Sequence, residues 1–193
     1  MLNAKALTEL LSKNSDPRLC KRWYLMTPNG TLLAYTQPTD MRELRRHVAM
    51  AAMSWQDHQR ANPEALSGGS LPAMKHQLHT LIIESEVSNV LVRRIQPGLL
   101  LVLEGGIPPR KPTFETRINA EGPDGELVHD RYAADPAIGT SISSKAESTV
   151  SQTPGGGVLG LHRKKLDAMA TAIASDFEQT GFKMPDQSVN TFF

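Results

Sequence analysis

Residues 18–36, RLCKRWYLMTPNGTLLAYT, predict a β-hairpin around which the rest of the chain is organised. The first arm carries apolar residues spaced by two, Trp23 and Leu25, as a half-buried strand requires. The second arm repeats this spacing with Leu32 and Ala34. The sequence TPNG between the arms suits a tight turn, because proline presets φ and Asn-Gly tolerates a positive φ.

The composition indicates a small domain with no bulk affinity for polyanions. A chain of 193 residues fits one domain, or one domain with a long tail or loop. Hydrophobic residues make up 39% and aromatic residues 5%, so the core is expected to be aliphatic and modest in size. The formal net charge of +1 gives no general attraction to nucleic acid or to acidic membranes. Because Cys20 is the only cysteine, an internal disulfide framework and a multi-cysteine metal site are excluded.

From the sequence we expect no membrane anchor within this chain. No signal-peptide core opens it, no apolar run approaches the length of a membrane span, and Leu2 stands where N-myristoylation requires glycine. We therefore expect any attachment to a membrane to be indirect, through a partner.

Three helices are predicted, over residues 3–13, 40–60 and 158–181. The middle one has the strongest pattern, with Asp40 as N-cap and Glu43 as its capping-box partner. Its apolar residues recur at steps of three and four: Met41, Leu44, Val48, Ala51, Ala52 and Trp55. The third helix is expected to end at Gly181 as the C′ residue.

The middle helix allows two interpretations. In one, a single apolar face covers a sheet and the arginine-rich face lies in water. In the other, Met50, Met53 and Trp55 widen the apolar stripe beyond what one sheet covers, and the excess contacts a partner protein.

Three strands are predicted between residues 78 and 103. Residues 78–85 are expected to form an apolar edge strand, which is open to strand addition. Residues 87–94 alternate between apolar and polar side chains, and the aliphatic run over residues 99–103 is typical of a central strand buried on both faces.

Residues 105–156 are rich in Pro, Gly, Ser and Thr, and offer little apolar area against the entropy of ordering. We expect a long insertion that is mobile or weakly docked, although residues 114–132 have enough apolar side chains for a small hairpin or for lying against the domain. The predicted organisation is therefore one domain over residues 1–104 and 157–183, the mostly disordered insertion 105–156, and a tail over residues 184–193.

Neither of two motifs suggestive of chemistry has a convincing context. Residues 155–160, GGGVLG, fit a dinucleotide-binding pattern, but a Ser/Thr/Pro-rich loop precedes them instead of a buried strand. His76 and His79 lie on a segment turning into a strand, where a spacing of three places the rings on opposite faces. We predict no catalytic residue, no cofactor, no metal site and no nucleic-acid partner.

The element order, together with the hairpin phrase LMTPNGTLLAY over residues 25–35, resembles the roadblock (dynein light-chain) family, and within it most closely the Ragulator group. The resemblance covers roughly residues 2–104 and 157–183, and the insertion departs from the compact members, as would suit a fungal-type homologue. It implies an α/β (α+β) fold in the order α-β-β-α-β-β-β-α. A five-stranded antiparallel sheet would carry the middle helix on one face and the two terminal helices on the other.

The resemblance also implies a heterodimer with a second roadblock-fold subunit, in which the middle helices pack together and the third strands join edge to edge. The candidate residues divide between core and dimer interface in a way that the sequence leaves open: Met41, Leu44, Val48, Met53, Trp55, Leu81 and Ile83.

By the same resemblance the chain is a non-catalytic scaffold on the cytoplasmic face of the late endosome, lysosome or vacuole. A separate lipidated subunit would wrap it and hold it there. Its further partners would be Rag-type GTPases, in amino-acid signalling to the target-of-rapamycin complex. Two alternatives are a dynein-type light chain or cargo adaptor of the same fold and a nucleotide-binding enzyme using residues 155–160.

Overall fold

The computed structural model describes residues 2–60, 78–107, 114–125, 127 and 157–185. The helices are α1 (Ala4–Lys13), α2 (Met41–Arg60) and α3 (Val158–Thr180). The strands are β1 (Cys20–Met26), β2 (Leu32–Tyr35), β3 (Thr80–Glu84), β4 (Ser88–Gln96), β5 (Leu99–Gly106) and β6 (Arg117–Glu121).

The strands form one antiparallel sheet in the order β2-β1-β5-β4-β3-β6, and helices cover both of its faces. On one face α2 packs on a core that includes Tyr24, Leu81 and Val102. On the other face α1 and α3 share a second core around Trp23 and Leu103. The predicted α/β class and the division of helices between the faces are confirmed.

The β1–β2 hairpin forms where the sequence predicts it. Tyr24 pairs with Tyr35, and the Thr27 N–H donates to the Thr31 carbonyl across the turn at 2.9 Å. Gly30 has a φ of +84°, the left-handed conformation that the Asn-Gly turn anticipates. The prediction of a half-buried strand is wrong for β1, because β5 pairs with its other edge and both of its faces lie under helices.

The central strand is β5, and every one of its residues is buried. It pairs with β1 on one side and β4 on the other, so the aliphatic run that begins at Leu99 contributes to both cores. Its burial on both faces is as predicted.

The ends of the helices follow the chemistry of their sequences. Asp40 Oδ1 accepts from the Arg42 N–H at 2.8 Å at the start of α2. The second half of the predicted capping box is replaced by a tertiary contact, since the Glu43 carboxylate accepts from Arg22 at 2.9 Å. At the end of α3, Gly181 has a φ of +62°, and the Phe182 N–H donates to the Phe177 carbonyl at 2.9 Å. This is the hydrogen-bond pattern of a Schellman motif.

His162 is a buried polar residue that joins α3 to the sheet. Its Nε2 lies 2.8 Å from the Leu19 carbonyl oxygen, so this nitrogen donates. The ring lies against Gly105, where an added Cβ would stand 2.3 Å from His162 Cε1. Glycine is therefore required at position 105 by the close approach of the imidazole.

The sheet has six strands, not the expected five, and the prediction that residues 78–85 form an edge strand is wrong. β6 pairs with β3 over five positions, from Thr80 opposite Glu121 to Glu84 opposite Arg117. We predicted that the backbone N–H and C=O groups along this edge of β3 would be unpaired. They are instead paired with a later strand of the same chain.

Within the predicted insertion 105–156, the structure describes the end of β5, β6 with its flanking residues, and Leu127, which bridges back to Glu121. The rest of that predicted mobile segment lies outside the described residues. Of the predicted tail, Met184 and Pro185 are described, and the Met184 N–H donates to Gln96 Oε1 at 3.1 Å.

Candidate functional site

The inner face of α2 belongs to the subunit's own core. The residues buried there are Leu44, Val48, Ala51, Ala52 and Trp55, at the helical spacing predicted from the sequence. The Arg94 guanidinium lies 5.5 Å from the centre of the Trp55 ring. Burial lowers the pKa of Arg94. The inner face of the helix is held on the sheet by apolar contact and by a cation–π interaction.

The seven candidate interface residues differ in exposure: four are buried, two are half-buried and one is exposed. Leu44, Val48, Trp55 and Leu81 are buried within the subunit, although the edge of Val48 lines the surface groove described below. Met41 and Ile83 are half-buried beside the α2 core. Met53 is exposed. The assignment to a dimer interface therefore stays a prediction, and it now concerns Met53 together with the half-buried pair.

Two large apolar side chains, both methionines, are exposed on the outer surface of α2. Met50 is 61% exposed and Met53 is 66% exposed, and a spacing of three residues places them next to each other on the helix. The sequence indicated both as part of an over-wide apolar stripe. Methionine is flexible and polarisable, and it adapts its shape to an opposing surface.

A shallow groove of about 670 Å³ runs between this outer surface and the β1–β2 hairpin. Its helical wall includes Met41, Val48 and Met53, and its hairpin wall includes Gly30 and Leu32. No pattern in the sequence indicated this groove, because it depends on how the hairpin turn leans against α2.

The turn lies close against the helix, and a hydrogen bond holds it there. The Gln56 side-chain amide donates to the Pro28 carbonyl at 2.8 Å. An added Cβ at Gly30 would lie 3.6 Å from Ala52 Cβ, so the turn backbone passes close to the helix surface. The groove is therefore a formed feature of the subunit.

A polar cluster supports the first half of α2. Arg22 on β1 donates to Glu104 on β5 at 3.2 Å and to Glu43 on α2 at 2.9 Å. His47 Nδ1 lies 2.8 Å from the other oxygen of Glu104. Burial and the nearby Glu104 carboxylate raise the pKa of Tyr24 well above its usual range, so this phenol is neutral. The cluster joins the helix to two strands, and sequence reasoning missed it because its members lie far apart in the chain.

The described residues contain no group of three His, Cys, Asp or Glu side chains placed to hold a metal ion. His79 is described and burial lowers its pKa, whereas His76 lies outside the described residues. Of the glycine-rich motif 155–160, Gly157 is the N-cap of α3 and accepts from the Leu161 N–H at 3.2 Å. Within the described part of the chain, no helix is both long and apolar enough to span a membrane.

Among solved structures, the chain is similar to the Roadblock/LC7 domain from Streptomyces avermitilis, with 15% identity and a TM-score of 0.40 over 52% of this chain and 76% of that one. The gliding protein MglB from Thermus thermophilus has 16% identity and a TM-score of 0.39, over 53% and 70%. Myxococcus xanthus MglB has 12% identity and a TM-score of 0.47, over 93% and 98%. The sequence matches no protein-family model and no curated protein sequence.

Proposed function

We propose that this protein is a non-catalytic scaffold subunit that dimerises with a like-folded protein through the outer face of α2. The observation that carries the proposal is the pair of exposed methionines, Met50 and Met53, beside a preformed groove. Methionine and arginine are enriched at protein interfaces, and α2 also exposes Arg42, Arg45 and Arg46.

The order of charges on α2 supports antiparallel packing of two such helices. Arg46, Met50, Met53 and Asp57 follow one another at steps of four, three and four, so they lie along one stripe. The two methionines therefore lie midway between the positive charge of Arg46 and the negative charge of Asp57. A partner helix running the opposite way with the same order would place Met50 against a methionine and Arg46 against an aspartate. A second copy of this chain meets that condition, as does a like-folded subunit with the same charge order.

We further propose the finer role that the hairpin resemblance over residues 25–35 implies. The dimer would belong to a Ragulator-like complex at the surface of the late endosome, lysosome or vacuole, held there by a lipidated wrapping subunit. It would bind Rag-type GTPases in amino-acid signalling to the target-of-rapamycin complex. Support comes from the hairpin phrase and from the order of elements around it.

The α2 interface is tested by placing charge on its apolar centre. We expect Met50→Glu combined with Met53→Glu to weaken self-association at least tenfold in sedimentation equilibrium, because each carboxylate would lose water on docking. Val87→Glu is the matched control, since Val87 is 72% exposed on the turn between β3 and β4. Equal association of the double variant and the unmutated chain would contradict the proposal, as would a chain that is monomeric and co-purifies with no like-folded subunit.

The finer role is tested by the partners recovered in a native pull-down. We expect a second roadblock-fold subunit, Rag-type GTPases and a lipidated subunit. Recovery of a dynein intermediate chain instead would support the light-chain alternative. A nucleotide-dependent rise in melting temperature that Gly157→Asp abolishes would support the nucleotide-binding alternative.

A further inference from the structure

The shallow groove between α2 and the β1–β2 hairpin, here called the hairpin groove, is long and narrow. Its lining follows α2 from Met41 to Gln56, which is about 22 Å of helix at 1.5 Å per residue. Spread over that length, a volume of about 670 Å³ gives a mean cross-section of about 30 Å². An α-helix with its side chains is about 10 Å across. The groove is therefore too narrow to enclose a helix, and it suits an extended segment.

A second recess extends the hairpin groove past the start of α2. It has a volume of about 500 Å³ and shares Tyr35 and Met41 with the groove. Thr39 lines this recess, and its hydroxyl oxygen is buried without a hydrogen bond to any of the described residues. Buried hydroxyl groups are nearly always hydrogen-bonded, so this one indicates a polar group of a bound molecule.

The hairpin groove carries positive charge that the subunit does not neutralise. Arg45 is the charged side chain among the described residues that line it, and Arg42 lies exposed three positions earlier on the same helix. Within the described part of the chain, no carboxylate pairs with either guanidinium. By contrast, Arg22, Arg93 and Arg163 each form an ion pair inside the subunit. The charge at the groove is therefore complementary to an acidic partner.

We propose that the hairpin groove is a binding site for an extended segment of a partner protein, in which apolar residues alternate with acidic ones. Its apolar side chains contact Leu32, Val48 and Met53. Its carboxylates pair with Arg45 and Arg42, for which arginine offers a two-pronged donor. About seven residues at roughly 3.3 Å each match the length of the groove. This site goes beyond the proposed dimer, because it recruits a further chain to the scaffold.

The hairpin groove and the proposed dimer surface meet at Met53 and differ elsewhere. Met50 does not line the groove, whereas Arg45 and Ala49 do. Variants at those two positions therefore alter the groove and leave the methionine pair unchanged.

The probe is an array of heptapeptides with varied apolar residues at four alternate positions and aspartate or glutamate at the other three. The tightest binder is labelled and titrated with the full chain by fluorescence anisotropy. We expect Arg45→Glu to weaken binding at least tenfold, and lysine in place of the acidic residues of the peptide to do the same. Lys164→Glu is the matched control, because Lys164 is exposed on α3, which packs on the opposite face of the sheet.

A second variant tests the shape of the groove. Ala49 is exposed on α2 and lines the groove, so Ala49→Trp fills the groove without entering the core. We expect this variant to weaken peptide binding at least tenfold while its circular dichroism spectrum stays that of the unmutated chain. Ala6→Trp is the matched control, since Ala6 is an exposed alanine on α1, on the other face of the sheet.

Three results would each overturn the proposal: an array without a binder, equal binding of the acidic and lysine peptides, or undiminished binding to both folded variants. The titration measures peptide binding whether or not the chain self-associates. Failure of the α2 dimer in sedimentation would therefore leave this site standing, and failure of the peptide to bind would leave the dimer standing.

Discussion

At the scale of single residues, His162 shows how a polar side chain becomes part of a core. It is fully buried, its Nε2 donates to the Leu19 carbonyl, and its ring occupies the space that a Cβ on Gly105 would need. Burial is the main cause that lowers the pKa of His162, and the nearby Lys165 lowers it further, while the hydrogen bond to Leu19 opposes them. The imidazole is neutral in the folded protein at neutral pH.

This environment predicts a loss of stability in mild acid. In the unfolded chain His162 takes up a proton near its ordinary pKa of 6.5, whereas in the folded chain it does so only at lower pH. Its contribution to stability is therefore complete above pH 6.5 and is lost as the pH falls through the folded pKa. We expect the urea midpoint to decrease from pH 7.5 to pH 5. The decrease should be smaller in a His162→Gln variant, and equal decreases in the two proteins would show that another group is responsible.

At the scale of secondary-structure elements, the C-terminus of α3 depends on backbone conformation and on one aromatic contact. Gly181 is left-handed, and the Phe177 and Phe182 rings that flank it have centroids 4.9 Å apart. We expect Gly181→Ala to lower the free energy of unfolding by about 1–2 kcal/mol, because an L side chain is strained at this φ. Gly181→Asn should cost less, since asparagine tolerates this conformation. Chemical denaturation of the two variants measures the difference, and equal losses would mean that conformation is not the cause.

The elements with strong internal patterns could be predicted from the sequence. α2 has its apolar residues at helical spacing, β5 is a continuous aliphatic run, and the hairpin carries a Pro-Asn-Gly turn. β6 had only a weak signal. The apolar residues of 114–132 suggested a small hairpin or a segment lying against the domain, but RINAE itself is largely polar, and its pairing with β3 was not predicted. Tertiary contact thus overrides a weak local preference there.

The outer face of α2, the candidate interface, could be predicted only in part. Met50 and Met53 stood out because they extend an apolar stripe that the sheet does not need. The sequence could not separate Trp55 from Met53, since the burial of each depends on the rotation of α2 about its axis. The cluster around Glu104 and the pair Glu121–Arg163 join residues far apart in the chain, and no local spacing indicates such contacts.

At the scale of the whole molecule, the charge order along α2 predicts how two subunits meet. Arg46→Asp would place an aspartate against Asp57 of an antiparallel second copy, and the repulsion should weaken self-association about tenfold at low salt. Combining Arg46→Asp with Asp57→Arg should restore association, because each charge then again lies opposite a charge of the other sign in the second copy. Sedimentation equilibrium of the single and double variants at low and high salt measures this. A double variant as weak as the single one would be inconsistent with antiparallel packing.

The position of β5 between β1 and β4 has a consequence for how the protein is made. Trp23 pairs with Leu103, about 80 positions later in the sequence. During synthesis the hairpin therefore leaves the ribosome long before β5 exists, and the edge of β1 that will pair with β5 has no partner until then. Non-local pairing of this kind slows folding. The nascent N-terminal half therefore exposes an unpaired strand edge for as long as β5 is missing.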